Sequence, residues 1–215
     1  DRIVELSPDR WLLTAQRIDK GQGIYQIVCY HSEDAGKHWS EGRVAAQEAE
    51  LRLCEPSVVM LRDGTLVMLL RENSGQGLDA YKAVSTDSGM TWSPVGRAPL
   101  PGCHRPVCGR LLGGGYMVSY RFAQGGKGGW GHWTQNTFIA RMDEASMRAL
   151  ERREQWANIR PLAHDGNPRA DTGYTGWVQY PDGEIYLVDY LLDDADKAQI
   201  RGYAFDESVF GPSKG

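Results

Sequence analysis

Short apolar stretches separated by tight-turn residues recur along the chain. The runs LVMLL at Leu66–Leu70 and IYLV at Ile185–Val188 are continuously apolar, which is typical of strands covered on both faces. In four places two strands flank a turn marked by Pro-Asp, Asp-Gly or Gly-Gly-Gly, and such residues favour β-hairpins. The four hairpin segments are Val4–Arg17, Val58–Arg71, Val107–Arg121 and Trp177–Tyr190.

A second pattern follows two of these hairpins. Ser32–Trp39 and Ser85–Trp92 both read S-x-D-x-G-x-x-W and lie 53 residues apart. In such a turn Ser and Asp bind backbone amides, Gly supplies a left-handed residue, and Trp covers the adjoining sheet. We expect both turns to lie on the outer rim and to carry no chemistry.

The repeating unit is therefore four strands over about 50 residues, which is typical of a propeller blade. We predict an all-β fold of about four four-stranded blades at 1–50, 51–98, 99–160 and 161–215. A polar stretch in the third blade, Asp143–Trp156, is predicted to hold a short helix. Four blades are few for a closed ring, and the first begins late. We therefore expect the C-terminal part of a six-bladed propeller, completed by N-terminal blades of the same polypeptide.

Composition narrows the function classes. There are 24 Lys and Arg against 28 Asp and Glu, and this slight acidity argues against a nucleic-acid partner. No apolar stretch is long enough to span a membrane, and the charged start predicts no signal peptide. His and Cys lack metal-ligand spacing, so neither a metal nor another cofactor is expected. The aspartates between Asp189 and Asp196 are predicted to form a solvated loop.

Aligning the hairpins on their turns places polar residues at equivalent positions in successive blades. Inner strands of a propeller begin at the mouth of the central channel, and a lone buried charge there would be costly. The converging polar set therefore predicts a binding site at one mouth. The inner-strand positions are Glu55, Arg105 and Tyr174, and the second-strand positions are Arg71, Arg121 and Tyr190.

The two S-x-D-x-G-x-x-W turns resemble the Asp boxes of sialidase propellers. CEPSVVMLRDGTLVMLLREN, from Cys54 to Asn73, is similar to the sialidase segment in which a Glu opens one strand and an Arg closes the next. DTGYTGWVQYPDG, from Asp171 to Gly183, is similar to the segment that presents a nucleophilic Tyr. The chain is thus identified as a member of the sialidase superfamily, similar to bacterial sialidase-like proteins.

The resemblance implies an exo-acting, retaining glycoside hydrolase for a terminal sugar, acidic or otherwise. It implies that Tyr174 is the nucleophile, that Glu55 activates it, and that Arg71 binds the substrate. A phenol is a poor nucleophile near neutral pH and needs such a base. Arginines would grip a substrate carboxylate through bidentate hydrogen bonds.

The sequence departs from the family pattern in two ways. Thr134 and Gln135 stand where another substrate-binding arginine is expected, and Arg105 or Arg121 are the candidate substitutes. The first arginine of the family's triad and its acid/base aspartate belong to earlier blades. The 215 residues alone are therefore expected to be inactive.

Other interpretations stay open at this point. Tyr174 could pack between blades, Glu55 could cap a strand, and Arg71 could pair with Glu72. The whole domain could be a non-catalytic Asp-box propeller that binds glycan or protein. A phenol oxygen of Tyr174 within about 3.2 Å of the Glu55 carboxylate would favour the enzyme.

Overall fold

The computed structural model consists almost wholly of antiparallel β-sheet, arranged as a four-bladed propeller-like assembly. It describes residues 2–21, 23–126 and 129–211, and the side chains of 124–134 lie outside this description. Three sheets have four strands, and the fourth has three within the described residues. The prediction of an all-β propeller of sialidase type is confirmed.

Strands follow chain order within each sheet, and neighbouring strands are antiparallel. The first sheet contains β1 (Val4–Ser7), β2 (Arg10–Ile18), β3 (Tyr25–Ser32) and β4 (Arg43–Gln47). The second contains β5 (Leu53–Met60), β6 (Leu66–Glu72), β7 (Tyr81–Ser85) and β8 (Gly96–Arg97). The third contains β9 (Cys103–Arg110), β10 (Tyr116–Gly126), β11 (Gly129–Met142) and β12 (Asn158–His164). The fourth contains β13 (Gly173–Gln179), β14 (Ile185–Leu191) and β15 (Gln199–Phe205).

The polar insertion of the third sheet holds a short helix, α1 (Glu144–Arg148), and a 3-10 turn (Arg152–Glu154). Asp143 caps α1 by accepting a hydrogen bond from the Ser146 amide. A further 3-10 turn, Glu207–Phe210, follows β15. In the described part of the chain, no helix is long and apolar enough to cross a membrane.

The two Asp boxes form the same hydrogen bonds. In the first, the Ser32 hydroxyl binds Asp34 and accepts from the Gly36 amide, and the Trp39 indole donates to the Gly36 carbonyl. In the second, Ser85, Asp87, Gly89 and Trp92 repeat these contacts. Gly36 and Gly89 both have φ near 83°, a conformation that glycine adopts without strain. Each box joins the third and fourth strands of its sheet.

Apolar side chains fill the space between successive sheets in three clusters. The first lies between sheets one and two around Leu12 and Met68, and the second lies between sheets two and three around Tyr120. The third joins sheets three and four around Trp177. Burial of these faces is the main force that holds the sheets together. The four cysteines are buried here as free thiols.

The prediction that Asp189 belongs to a solvated loop is wrong. Asp189 lies in β14, is buried, and accepts a short hydrogen bond from the Thr137 hydroxyl of the third sheet. Burial raises the pKa of its carboxyl, although the hydrogen bond from Thr137 opposes this. An acidic run read from composition alone did not reveal that one member faces the neighbouring sheet.

Candidate functional site

One β-bulge recurs at the start of the inner strand in sheets two, three and four. In each case two residues of the inner strand lie opposite one residue of its neighbour. The bulges are Glu55-Pro56 opposite Leu70, Arg105-Pro106 opposite Tyr120, and Tyr174-Thr175 opposite Asp189. The equivalence predicted from the turn offsets is therefore present in the backbone pairing.

The first residue of each bulge has a left-handed backbone. The φ angles are 45° at Glu55, 50° at Arg105 and 54° at Tyr174. This conformation costs a non-glycine residue roughly 1–2 kcal/mol. Proline follows in two bulges, where the missing amide hydrogen leaves no ladder bond unmade. Bulges re-aim side chains, and these three direct theirs to a common mouth.

The centre of the site is a chain of three side chains from two sheets. The Tyr174 hydroxyl donates to Glu55 Oε1 over 2.9 Å, and Arg71 Nη1 donates to Glu55 Oε2 over 2.8 Å. Arg71 Nη2 also binds Asn73 Oδ1 at 2.7 Å. Tyr174 is 41% exposed, whereas Arg71 is 4% exposed. An accessible phenol thus contacts an ion pair whose arginine is buried and whose glutamate is partly exposed.

The alternative pairing of Arg71 with Glu72 is not formed. Glu72 points away and accepts hydrogen bonds from the amides of Arg52 and Ser74 and from the Ser74 hydroxyl. Burial alone would lower the pKa of Arg71, but the hydrogen bond and charge of Glu55 outweigh it, and the pKa lies above its ordinary value. Arg71 is thus held as a cation against Glu55.

Two more arginines lie against the ring of Tyr174. The guanidinium carbon of Arg105 is 4.8 Å from the ring centroid, and that of Arg121 is 5.2 Å away. Both distances allow cation–π attraction. Tyr190 lies beside the same ring, with the two centroids 6.0 Å apart. All six site residues predicted from the sequence therefore meet at this mouth.

Arg121 is 2% exposed and has a carboxylate for a neighbour. Its Nη1 lies 3.4 Å from Asp171 Oδ1 and from the oxygens of Gln135 and Thr172. The Tyr190 hydroxyl donates to the same Asp171 oxygen over 2.9 Å. Burial, and secondarily that hydrogen bond, raises the pKa of Tyr190 to about 12, so its phenol stays neutral.

The sequence analysis missed three residues of this mouth, Asn73, His104 and Asp171, and it named Gln135 only as a departure from the family pattern. Asn73 follows a strand that the hairpin pattern had located, so its position two residues after Arg71 was the available signal. Gln135 occupies the region where an arginine was expected, and its Oε1 accepts from Arg121 and from the Thr172 amide. The side chain of Thr134 lies outside the described residues. Asp171 belongs to a loop that carries no periodic signal.

No cluster of three or more His, Cys, Asp or Glu side chains that could hold a metal ion occurs among the residues whose structure is described. The site is instead built from guanidinium, carboxylate and phenol groups. Such a set can bind a polar ligand, move a proton between Tyr174 and Glu55, and stabilise negative charge that develops on the phenol oxygen.

Four successive sheets with two Asp boxes define a propeller of the sialidase-like class. The family model described as a BNR repeat-like domain matches residues 3–119, which is more than half of the chain. The chain therefore belongs to this family. A comparison with curated protein sequences found no match.

Solved structures with this fold include known hydrolases. A protein of unknown function from Dyadobacter fermentans has a TM-score of 0.75 and 20% identity, over 95% of this chain and 52% of its own. A mutant of the NanB sialidase from Streptococcus pneumoniae has a TM-score of 0.59 and 15% identity, over 96% of this chain and 30% of its own. An endo-arabinanase from Bacillus licheniformis has a TM-score of 0.59 and 12% identity, over 96% of this chain and 73% of its own.

These identities establish the fold alone. The chain spans about half of the Dyadobacter protein and less than a third of the sialidase.

Proposed function

We propose that the protein is a retaining glycoside hydrolase of sialidase type, with Tyr174 as nucleophile and Glu55 as its base. The proposal depends on one observation, the 2.9 Å hydrogen bond from the Tyr174 hydroxyl to Glu55. That distance allows direct proton transfer, and the phenol remains exposed to an incoming sugar. The sialidase and arabinanase that share the fold support hydrolysis of a glycosidic bond as the reaction class.

In the first step, Tyr174 Oη attacks the anomeric carbon, its proton passes to Glu55, and the glycosidic bond breaks. The leaving oxygen takes its proton from a general acid, the role of the family's acid/base aspartate. The product is a glycosyl–tyrosine ether. Water then gives a proton to the conjugate base of that acid and attacks the anomeric carbon. The ether bond to Tyr174 breaks and Glu55 returns its proton to the Tyr174 oxygen, so the configuration is retained.

The neighbouring arginines suit this chemistry. Arg71 fixes the orientation of Glu55 by binding its second oxygen at 2.8 Å. Arg105 and Arg121 lie against the Tyr174 ring, where positive charge stabilises the phenolate character that develops as the proton leaves. Without such groups a phenol with an ordinary pKa near 10 would attack slowly.

The test is release of 4-methylumbelliferone from a panel of neutral and acidic aryl glycosides by the full-length protein. Removing the attacking oxygen in Tyr174→Phe is expected to lower kcat by about a thousandfold or more, and Glu55→Gln by about a hundredfold. Tyr180→Phe is the matched control, because Tyr180 is exposed at the β13–β14 turn and should keep full activity. Mass spectrometry should locate a trapped sugar on the Tyr174 peptide.

Equal turnover by the wild type and Tyr174→Phe would remove Tyr174 from the mechanism. Glycan binding without turnover by any variant would favour the second function, a non-catalytic propeller. Gln135 favours that alternative, because it lies near Arg121 in the region where the family pattern expects a substrate-binding arginine.

A further inference from the structure

Arg121 faces a carboxylate of the protein itself. Its guanidinium is buried, and Nη1 lies 3.4 Å from Asp171 Oδ1. The Asp171 side chain is 51% exposed, so its carboxylate is accessible to a ligand that enters the mouth, whereas the Arg121 side chain is buried. Nη1 also contacts two neutral oxygens, those of Gln135 and Thr172.

Asp171 is fixed in this position from both ends. The Tyr190 hydroxyl donates to its Oδ1 over 2.9 Å, and its own amide donates to Asp165 Oδ2 over 3.1 Å. Asp165 is buried and accepts three more backbone amides, from Asn167, Leu192 and Asp193. These bonds, despite burial, lower the pKa of Asp165, which keeps the anchor ionised.

The other buried arginine of the mouth is matched in the same way, because Arg71 is paired with Glu55. Arg105 contributes a third positive charge, and its guanidinium lies against the Tyr174 ring. A substrate carboxylate directed at Arg121 would meet the negative charge of Asp171 first, and like charges in such a pocket disfavour binding. A sugar hydroxyl, in contrast, could donate to Asp171.

We infer that Asp171 excludes carboxylated sugars and that this mouth takes an uncharged terminal sugar whose hydroxyl groups donate to Asp171. The inference rests on the proposed function for the location of the sugar. Asp171 is then a residue that determines substrate specificity. Arg121 forms an ion pair with Asp171 and does not bind an anionic ligand.

The test is a binding measurement that needs no turnover. Isothermal titration of N-acetylneuraminate, a carboxylated probe, should give weak or undetectable binding to the wild type. Asp171→Asn should bind N-acetylneuraminate at least about tenfold more tightly, because the negative charge of Asp171 no longer competes with the ligand for Arg121. The affinity for methyl β-D-galactoside, an uncharged probe, should not rise. The double variant Asp171→Asn/Arg121→Gln should lose the gain.

Asp182→Asn is the matched control, since it removes the same charge from the far turn of the β13–β14 hairpin. Its affinity for N-acetylneuraminate should equal that of the wild type. The inference is overturned if Asp171→Asn binds no better than the wild type, including the case in which neither binds. It is also overturned if Asp182→Asn gains equally, or if both probes gain. Failure of hydrolysis in the glycoside panel would refute the proposed reaction. The binding measurements on Asp171→Asn could still be interpreted, because they need no turnover.

Discussion

His104 is a histidine of the mouth whose protonation is opposed by burial and by the neighbouring guanidinium groups. It is half-buried on β9 beside Arg105. Burial, together with the positive charges of Arg71 and Arg121, lowers its pKa from 6.5 to about 3. The imidazole is therefore neutral near neutral pH and adds no further positive charge to the mouth.

This shift predicts a pH dependence of folding stability. Unfolded His104 takes up a proton near pH 6.5, whereas the folded protein resists until about pH 3. Between these values the unfolded state binds more protons, so stability falls as the pH falls. His104→Gln should flatten the profile by up to about 1.4 kcal/mol per pH unit. Urea denaturation at several pH values from 7 to 4 measures this slope.

His164→Gln is the control, because His164 is exposed and hydrogen-bonded to Asn136. Its profile should run parallel to that of the wild type. A His104→Gln profile that is no flatter than the control would show that the imidazole does not resist protonation in the folded protein.

At the scale of one element, each inner strand pairs with its neighbour in the sheet and also directs one polar side chain into the site. Most of each strand pairs in regular antiparallel register, and the bulge then turns one side chain toward the axis. The left-handed φ at Glu55, Arg105 and Tyr174 is the energetic cost of that change of direction. The site therefore stores backbone strain that the surrounding sheet stabilises.

Substitution at Arg105 should measure the strain. Arg105→Gly and Arg105→Ala both lose the contact with Tyr174, but only glycine accepts a φ of 50° at no cost. The glycine variant should be more stable than the alanine variant by about 1 kcal/mol. At Arg110, exposed on the same strand, the order should reverse, with alanine more stable by roughly 0.5–1 kcal/mol. The same order at both positions in chemical denaturation would argue against a strained bulge.

Most features at the scale of single elements could be predicted from the sequence. The hairpins and Asp boxes depend on local residues, so apolar runs and turn glycines were sufficient to locate them. Counting from those turns also aligned Glu55 with Arg105 and Tyr174, because the same bulge occurs in each sheet. Asp171 and Gln135 could not be found this way, since their positions depend on a loop path and on contacts within and between sheets. The buried state of Asp189 was missed for the same reason.

At the scale of the whole molecule, close packing between sheets sets the spacing of the mouth. Trp177 of the fourth sheet is buried against Gly109 of the third, and its indole donates to the Val107 carbonyl over 3.1 Å. Arg2 precedes β1, and its guanidinium carbon lies 5.5 Å from the centroid of the Trp177 ring. The same guanidinium donates a hydrogen bond to the Trp177 carbonyl oxygen. Trp177 thus joins the third and fourth sheets and the segment that precedes β1.

A methyl group at Gly109 should disturb this packing. Its Cβ would lie 2.7 Å from the Trp177 ring, so Gly109→Ala should destabilise the fold by about 1–3 kcal/mol. Gly176→Ala is the matched control on β13, where the new Cβ would meet only Val188 at 3.9 Å. That variant should be neutral or slightly stabilising. Equal unfolding free energies for the two variants in guanidinium titrations would contradict tight packing at this interface.

The recurrent bulge also bears on how such a protein diversifies. The backbone pairing on either side of each bulge fixes the direction of one side chain without using that side chain for the core. Substitutions at three positions, Glu55, Arg105 and Tyr174, would therefore replace the chemical groups at the mouth while the blades keep their packing. A lineage built on this scaffold can change its reaction faster than its architecture.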